Sequence, residues 1–562
     1  MIKKLFKKNV VKTLLILILC AIILLLFYVI NNKVYKIEIS KNIKDSEWID
    51  KNVNITSSDI SDNVYIVSKN KNITTYNMLY QKNITKKINS ILNNGSYTVD
   101  NILMIYNPYG TNNNSVNIYY SDESAKLISY KIEVSGYADY ENNLVQNNTN
   151  NHKYELIGFI MGKKNKLTLT FENSNGEKTT QKYTLDFSKY KIDTSNKVEV
   201  DKETNEEITN GLFAILGDSS DDDYIWLVDN EGVIRSEIPI IGYRAVNLLF
   251  KDDKMYFSIS EKKIAEMNNL GQITKIYNLG KYKLHHDYAF DTDKNNILIL
   301  ASDTTKESCE DAIIKLNLKT GKVSDSFYLE EVLPDLRESA YYNEAEVAKE
   351  VESVGVDWMH INTINYLSND TVILSSRETS SIIKVSNIFD NPKLEYILGD
   401  ETFYKNYDSK KYLYTKIGNF TIAGGQHTVS YIPTSTDGVY YLTMFNNNIG
   451  ISTTVPDFNW SSIGLKYSSP EDNGKSYYYK YKVDENAHTF ELVEKFEVPF
   501  SAYMSSVQNY NNNIIVDSAQ ACTFSERDNS GNIKRTYKVK CKSNIYRVFK
   551  YDFNNYYFKS TQ

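Results

Sequence analysis

Beyond residue 40, short apolar runs alternate with polar positions and are separated by Asn, Gly and Ser. Between residues 41 and 200 this two-residue period is typical of antiparallel strands with one buried face. The clearest runs are Ile102–Tyr106, Val116–Tyr120, Leu127–Val134 and Lys166–Phe171. We therefore predict a small β-sandwich over 41–200, with a charged linker at Val198–Ile208.

From about Gly211 a longer pattern repeats: an apolar strand, an Asn/Asp/Gly turn, a strongly apolar strand ending in Ser, and two further strands. Six such units begin near residues 211, 244, 285, 360, 427 and 506. Four strands in each of six units predict an all-β fold with a six-bladed β-propeller over 211–562. Two separate β-sandwiches are the alternative. The Glu- and Ala-rich segment 330–356 is predicted to be a helical insertion.

The N-terminal residues predict where the chain resides. An uncharged apolar run of 18 residues at 13–30 follows five lysines, Lys3, Lys4, Lys7, Lys8 and Lys12. As a helix it would be about 27 Å long, enough to span a bilayer, and the lysines favour a cytoplasmic N-terminus. We predict a basic cytoplasmic tail over 1–12, a single-pass membrane anchor over 13–30 and an extracytoplasmic remainder. A cleaved signal peptide is the alternative, although no small-x-small cleavage site is evident.

Charge and cysteine content exclude some classes of partner and site. The chain carries 64 Lys and Arg against 70 Asp and Glu, a formal net charge of −6, so a nucleic-acid partner is not expected. Cys522 and Cys541 lie on predicted neighbouring strands, where a disulfide is allowed outside the cytoplasm. Because no C-x-x-C pattern occurs, a cysteine metal site is not predicted.

Four of the six histidines lie at the starts of predicted units, namely His285, His286, His360 and His427. In a propeller the innermost strands of all blades surround one channel, so residues in matching register converge there. Arg377 follows one strand after His360 and is expected at the same end, and Asn362 shares a strand face with His360. Because adjacent strand residues point to opposite faces, at most one of His285 and His286 is expected to face the channel.

Each histidine taken alone could instead be a buried residue satisfied by hydrogen bonds, but four in register argue against that. Three of them could also bind zinc. Arg377 would oppose a cation at that position, and the nearby acidic residues, Asp287 and Asp357, do not share one register. No metal site is therefore predicted.

Several segments resemble signature segments of the bacterial aryl-sulfate sulfotransferases, a family that needs no nucleotide sulfate donor. They are LHHDYAFD (284–291), DWMHINTINYLSNDTVILSSRETSSIIKV (357–385), GGQHTVSYIP (424–433), YIWLVDNEGVIR (224–235), SSVQNYNNNIIVDS (505–518) and, in the N-terminal region, NPYGT (107–111) with KLISYKIEVSG (126–136). The resemblance covers residues 90–555, and the ordered combination of DWxHxN, SSR and GQH is its most specific element. Thr428 stands where the family often has an acidic residue, and no close cysteine pair separates His360 from His427.

The resemblance implies a six-bladed propeller that moves a sulfuryl group from an aryl sulfate ester to a phenol. It implies that His427 is the nucleophile and forms a transient sulfohistidine, so that the reaction is ping-pong. His360, Arg377 and one of His285 and His286 would be the other catalytic groups, and Asn362 would donate to the substrate. No cofactor is expected; the partners are the aryl sulfate donor and the phenolic acceptor, and kinship suggests a homodimer.

Tyr288, Trp358 and Tyr503 are candidates for stacking on the aryl ring, with a core role as the alternative. Two other functions stay open: a non-enzymatic cell-surface propeller that binds glycan or protein, and a metal-dependent hydrolase that uses the same histidines. The register of four histidines with Arg377 favours the sulfotransferase, because a binding module does not need them.

Overall fold

The computed structural model describes residues 44–123, 125–145, 150–190, 197–202, 207–217, 224–341, 355–466 and 473–559. The predicted basic tail and membrane anchor lie outside these ranges. Within them, no helix has both the length and the apolar character needed to cross a bilayer. Strands make up 48% of the structure and helices 11%, which confirms the all-β prediction.

The chain divides into two compact units, the first of which comprises 44–56 and 67–94 of the described residues. Its elements are a helix over 44–52, most of strand β1 (Val53–Ser57) and a helix at Met78–Asn94. The prediction of strands alone is therefore wrong in this region. Tyr80, Ile84 and Ile88 are buried at intervals of four residues, a helical period that puts them on one face.

The second unit comprises 57–66 and 95–559 of the described residues. It begins with two sheets whose strands are mostly antiparallel. Of one sheet it contains, in order, the first half of β2 (Val64–Lys69), then β3 (Leu103–Tyr106), β4 (Ser115–Ser121) and β7 (Asn151–Ile157). The other contains, in order, β6 (Tyr140–Asn143), β5 (Ala125–Glu133), β8 (Lys164–Asn173) and β9 (Lys178–Asp186). The Tyr130 hydroxyl donates to the Ile157 carbonyl at 2.9 Å and so links the two sheets.

Six further sheets follow among the described residues, numbered here by their order in the chain. Sheet 1 contains β11 (Leu212–Ile215), β12 (Tyr224–Val228), β13 (Ile234–Pro239) and β35 (Val548–Tyr551); sheet 2 contains β14 (Leu249–Lys251), β15 (Lys254–Ser260), β16 (Lys263–Asn268) and β17 (Ile273–Asn278); sheet 3 contains β18 (Tyr282–Phe290), β19 (Asn296–Asp303), β20 (Ala312–Asn317) and β21 (Lys322–Tyr328). Sheet 4 contains β22 (Ile361–Tyr366), β23 (Val372–Ser376), β24 (Ser381–Ser386) and β25 (Lys393–Leu398); sheet 5 contains β26 (Thr415–Ile417), β27 (His427–Pro433), β28 (Val439–Asn446), β29 (Ser476–Asp484) and β30 (Thr489–Val498); sheet 6 contains β31 (Ser506–Tyr510), β32 (Asn513–Ser518), β33 (Thr523–Asp528), β34 (Ile533–Val539) and β10 (Val198–Asp201).

Two of these sheets join distant parts of the chain. The last strand, β35, pairs with β11, and β10 pairs with β34. The segment Val198–Asp201 is therefore a strand, and its prediction as part of a linker is wrong. Its alternation of Val and acidic residues puts Val198 and Val200 towards one face. The first strands β18, β22, β27 and β31 contact one another in sequence, and β31 contacts β35.

The middle strands of the six sheets are buried on both faces. In β19, Ile297, Leu298, Ile299 and Leu300 are all fully buried in succession, which is typical of a strand covered on two sides. Each such side chain contributes about 1.5–3 kcal/mol on burial. The sheets are therefore rigid supports for the residues at the ends of their first strands.

Short helices and one disulfide complete the second unit. The helical segments are Leu329–Glu331, Pro334–Ser339, Glu401–Tyr404, Asp408–Tyr412, Trp460–Ile463 and Ala519–Ala521. The first two lie at the start of the predicted insertion, whose residues 342–354 are outside the described ranges. Cys522 and Cys541 form a disulfide, and Cys309 is free and buried.

Candidate active site

Three imidazoles from three different sheets converge at one point. His286 lies in β18, His360 directly precedes β22, and His427 begins β27. One ring nitrogen from each of the three lies within 4.8 Å of the other two, and His286 Nε2 is 3.2 Å from His360 Nε2. All three residues are buried. Their matching register in the sequence therefore corresponds to one shared location in the structure.

An unusual backbone directs these side chains. His286, His360 and Thr428 have φ values of 50°, 47° and 54°, in the left-handed region that costs a non-glycine residue about 1–3 kcal/mol. Each first strand also shifts register here, and such bulges re-aim side chains. The expectation that His285 and His286 point to opposite faces fails for this reason, because their Nδ1 atoms are 3.2 Å apart. His286 is the one that contacts His360.

Arg377 brings a guanidinium against His360. Its Nη1 lies 3.1 Å from His360 Nε2, and its Nη2 donates to Asp357 Oδ2 at 3.3 Å and to Glu378 Oε1 at 2.6 Å. Glu378 is fixed in turn by the Thr453 backbone N–H at 2.7 Å. The guanidinium is therefore held from one side, and Nη1 faces the histidines.

Two carboxylates hold the other side of His360. Its Nδ1 lies 2.5 Å from Asp357 Oδ2 and 2.7 Å from Glu310 Oε2. Burial and Arg377 act to lower the pKa of His360, but Asp357 and Glu310 outweigh them and raise it to about 9. Burial acts to raise the pKa of Glu310, yet the neighbouring imidazoles, His360 first, hold it well below its usual value. His360 is therefore an imidazolium at neutral pH.

Glu310 was not identified from the sequence. It lies in the β19–β20 connection and belongs to none of the recognised segments. Its φ of 54° is the sort of local conformation that a sequence does not reveal. Asp357 and Asp287 were both noted near unit starts. Asp357 lies beside His360, whereas Asp287 pairs with Arg547 at 3.4 Å.

His427 is held as a neutral base. Its Nδ1 lies 3.0 Å from the Gly425 carbonyl and 2.9 Å from Asn447 Oδ1. The Asn447 amide nitrogen donates to the Ser501 carbonyl at 2.9 Å, which orients its oxygen towards His427. Burial lowers the pKa of His427 to about 3, with Asn447 opposing. Because both neighbours of Nδ1 are acceptors, Nδ1 carries the hydrogen and Nε2 keeps its lone pair.

The predicted substrate-binding residues have different surroundings. Tyr288 and Trp358 lie in the core, at 0% and 2% exposure, and donate to the Asn247 carbonyl and Asp311, so neither ring has a free face for an aryl group. Tyr503 is 39% exposed. Asn362 is fully buried, and its amide donates to the Gln426 carbonyl at 2.8 Å, next to His427.

The same imidazoles satisfy the spacing of a metal site, since their nitrogens lie within 4.8 Å of one another. Arg377 Nη1 lies 3.1 Å from His360 Nε2 and His360 itself is charged, so a cation there would meet two positive groups. The carboxylates of Asp357 and Glu310 lie at His360 Nδ1, away from Arg377 Nη1, so an anion is best accommodated on the Nε2 side, beside the guanidinium.

Comparison with protein-family models decides the relationship. The model for the arylsulfotransferase family matches residues 197–558, and that for the arylsulfotransferase Ig-like domain matches residues 103–188. The chain belongs to the arylsulfotransferase family. Membership supports arylsulfotransferase activity in general, and the first match contains all three converging histidines and Arg377.

Other comparisons add little to the arylsulfotransferase assignment. A comparison with curated proteins returns no match. Structures of putative 6-phosphogluconolactonases from Bacteroides uniformis and Bacteroides fragilis are 9% and 11% identical, cover 76% of this chain and 99% of their own, and have TM-scores of 0.34. A streptogramin B lyase structure is 12% identical over 61% of this chain and 88% of its own, with a TM-score of 0.30. Scores this low support no conclusion.

Proposed function

We propose that this arylsulfotransferase moves a sulfuryl group from an aryl sulfate ester to a phenolic acceptor through a sulfohistidine at His427. One observation carries the proposal. A neutral imidazole from sheet 5 with a free Nε2 converges with a charged imidazole and a guanidinium from sheet 4, and these groups lie within a few ångströms of one another. This is the set of groups that nucleophilic transfer of an anionic group requires.

His427 is the proposed nucleophile because its lone pair is available at neutral pH. Its Nδ1 hydrogen is occupied by Gly425 and Asn447, and its lowered pKa keeps the ring unprotonated. In the first step the His427 Nε2–S bond forms while the bond between sulfur and the aryl oxygen breaks. In the second, the oxygen of the acceptor phenol attacks sulfur and the N–S bond breaks.

His360 is the proposed acid and base. Phenols have an ordinary pKa near 10, so the departing phenolate benefits from a proton as it leaves. The His360 imidazolium, with a pKa of about 9, supplies that proton and later receives one from the acceptor phenol. The proton count is thus unchanged over the full cycle.

The sulfuryl oxygens are proposed to lie between His360, His286 and Arg377. Among the described residues, both hydrogen-bond-range neighbours of His360 Nε2 are nitrogens, at 3.2 Å and 3.1 Å. With His360 charged, its Nε2–H can donate to Nε2 of the neutral His286, and the Arg377 Nη1–H lies beside the same nitrogen. The negatively charged sulfuryl oxygens would accept hydrogen bonds from these donors, which would stabilise the charge that develops in the transition state.

We propose that the six sheets are the blades of a β-propeller. Contacts between successive first strands support a ring, and the pairing of β35 with β11 would close it. Arg547, just before β35, donates to the Val246 and Asn362 carbonyls at 3.4 Å and 2.7 Å, thereby joining three sheets near the centre. A low-resolution solution envelope with an open or two-lobed outline over 211–562 would contradict the ring.

The experiment that tests the function uses the full chain, 4-nitrophenyl sulfate and no acceptor. We expect intact-protein mass spectrometry to show a gain of one SO3 group, and peptide mapping to assign it to His427. The gain should be absent in His427→Asn and present in His488→Asn, a control histidine that stacks on Tyr414 outside the cluster. Turnover by His427→Asn at the wild-type rate would refute the sulfohistidine.

We also propose that residues 13–30 anchor the chain in the cell membrane, with the catalytic region outside. The apolar run after five lysines supports this, as does the disulfide between Cys522 and Cys541, a bond typical of oxidising compartments. Protease added to intact cells should degrade the chain but spare a cytoplasmic marker. Protection of the chain until the cells are lysed would contradict the proposal.

A further inference from the structure

Arg244 is a half-buried guanidinium that none of the proposed steps uses. Its guanidinium carbon lies 3.8 Å from the centre of the Tyr546 ring. Its Nη2 is 3.4 Å from the Tyr243 hydroxyl and its Nη1 is 4.0 Å from Met504 Sδ. Its Nε is buried without a hydrogen-bond partner among the described residues. The charge therefore faces two aromatic rings and a thioether.

Arg244 differs from Arg377 and Arg547 because it forms no ion pair with a carboxylate of the described residues. Arg377 pairs with Asp357 and Glu378, and Arg547 pairs with Asp287. Within the described residues no carboxylate forms an ion pair with Arg244. Glu310 acts on the guanidinium only from beyond ion-pair distance, and a half-buried charge without a bonded carboxylate is costly. This position is therefore suited to a negative group that is not part of the chain.

Arg244 is connected to both halves of the reaction centre through single side chains. The Tyr546 hydroxyl donates to the His286 carbonyl at 3.0 Å, and the two rings are 6.4 Å apart. On the other side, the Met504 carbonyl accepts from Asn447 Nδ2 at 3.2 Å, and Asn447 orients His427. Arg244 is therefore linked through Tyr546 to the backbone of His286, and through Met504 to the residue that orients His427.

We propose that Arg244 binds a second anionic group on the aryl substrate, so that the preferred substrates are aryl sulfates that also bear a carboxylate or a second sulfate. This inference rests on the proposed sulfuryl transfer. The guanidinium plane can form two parallel hydrogen bonds to either kind of anion. Tyr243, which is half-buried, provides apolar contact for the ring that carries it.

The test compares 4-carboxyphenyl sulfate with 4-nitrophenyl sulfate as donors to one phenol acceptor, using the full chain and its Arg244→Met variant. Each variant is compared with wild type on the same donor, so differences in leaving group cancel. We expect Arg244→Met to lower kcat/KM for the carboxylate donor by about 10- to 100-fold more than for 4-nitrophenyl sulfate. Arg244→Lys should recover part of that difference. Arg535→Met, which removes a guanidinium paired with Glu231, is the control and should show no such difference.

The outcomes separate the two proposals. Equal losses on both donors would assign Arg244 to the shared sulfuryl group or to folding, and would overturn the inference. No loss on either donor would overturn it as well. If wild type turns over neither donor, the proposed function itself fails and the inference fails with it. A matched unfolding midpoint for Arg244→Met shows that a selective loss is not partial unfolding.

Discussion

Replacing Glu310 by Gln tests whether a carboxylate sets the charge of His360. The substitution keeps the size of the side chain and removes its charge. Glu310 Oε2 lies 2.7 Å from His360 Nδ1, opposite the nitrogen that faces Arg377. The expected effect is therefore on the protonation of His360 and not on the positions of its neighbours.

The magnitude follows from the pKa of His360. A value of about 9 against an ordinary 6.5 corresponds to about 3 kcal/mol in favour of the imidazolium. Asp357 and Glu310 together provide this stabilisation, which outweighs the opposing effects of burial and Arg377. Loss of Glu310 should therefore lower the pKa of His360 by about 1–2. A general acid works only when protonated. Activity that wild type loses as the pH rises through about 9 should be lost at correspondingly lower pH in Glu310→Gln.

The assay is a pH profile of kcat/KM with two donors, phenyl sulfate and 4-nitrophenyl sulfate. Near pH 8 the variant should be slower by about 2- to 10-fold with phenyl sulfate, because about half to one tenth of His360 would stay protonated. The loss should be smaller with 4-nitrophenyl sulfate, because its more acidic phenol leaves without much help. Glu395→Gln is a matched control, since Glu395 contacts Ser386 and Lys393 on the surface of sheet 4.

If kcat/KM of Glu310→Gln fell at the same pH as that of wild type on the alkaline side of the profile, the reasoning would be refuted. That result would mean either that another group supplies the proton or that Asp357 alone keeps His360 charged. The double variant with Asp357→Asn separates these cases. If the alkaline fall in kcat/KM occurred at the wild-type pH in the double variant as well, His360 would be excluded as the acid.

Two further predictions concern the same cluster. Arg377→Lys should lower kcat by about 100-fold, because an ammonium cannot reach His360 and stay bonded to Glu378 together; a rate near that of wild type would mean that Arg377 only holds Glu378 in position. Dialysis against a chelator should leave turnover unchanged, because a cation would meet the charges of Arg377 and His360; loss of activity that zinc restores would favour the metal-dependent hydrolase.

Much of the fold is readable from local patterns. The predicted starts of six units, near 211, 244, 285, 360, 427 and 506, lie close to the first residues of strands β11, β14, β18, β22, β27 and β31. Strand period and turn residues act over a few positions, so they can be read without knowledge of distant contacts. The strand β10 could not be recognised this way, since its partner β34 lies far along the chain. The helix at Met78–Asn94 was missed because the region was interpreted with a strand period.

The site was predictable only in part. Histidines in matching register indicated which imidazoles converge, because register along a strand determines the end at which a residue lies. The left-handed backbone at His286 and His360 was not predictable, and it decides where those rings point. Glu310 carried no signal either, since a single carboxylate in a hairpin connection is common. Burial of Tyr288 and Trp358 likewise depends on neighbouring sheets.

The exchange of strands between the two ends of the catalytic region has a consequence for biosynthesis. Sheet 1 is complete only after β35 has been synthesised, and β10 is synthesised long before β34, its partner in sheet 6. Until β34 and β35 have left the ribosome, β10 and one edge of β11 have unpaired backbone groups that favour association with other chains. Tyr546 and Arg547 directly precede β35, so the contacts that they make with sheets 3 and 4 form at the same late stage.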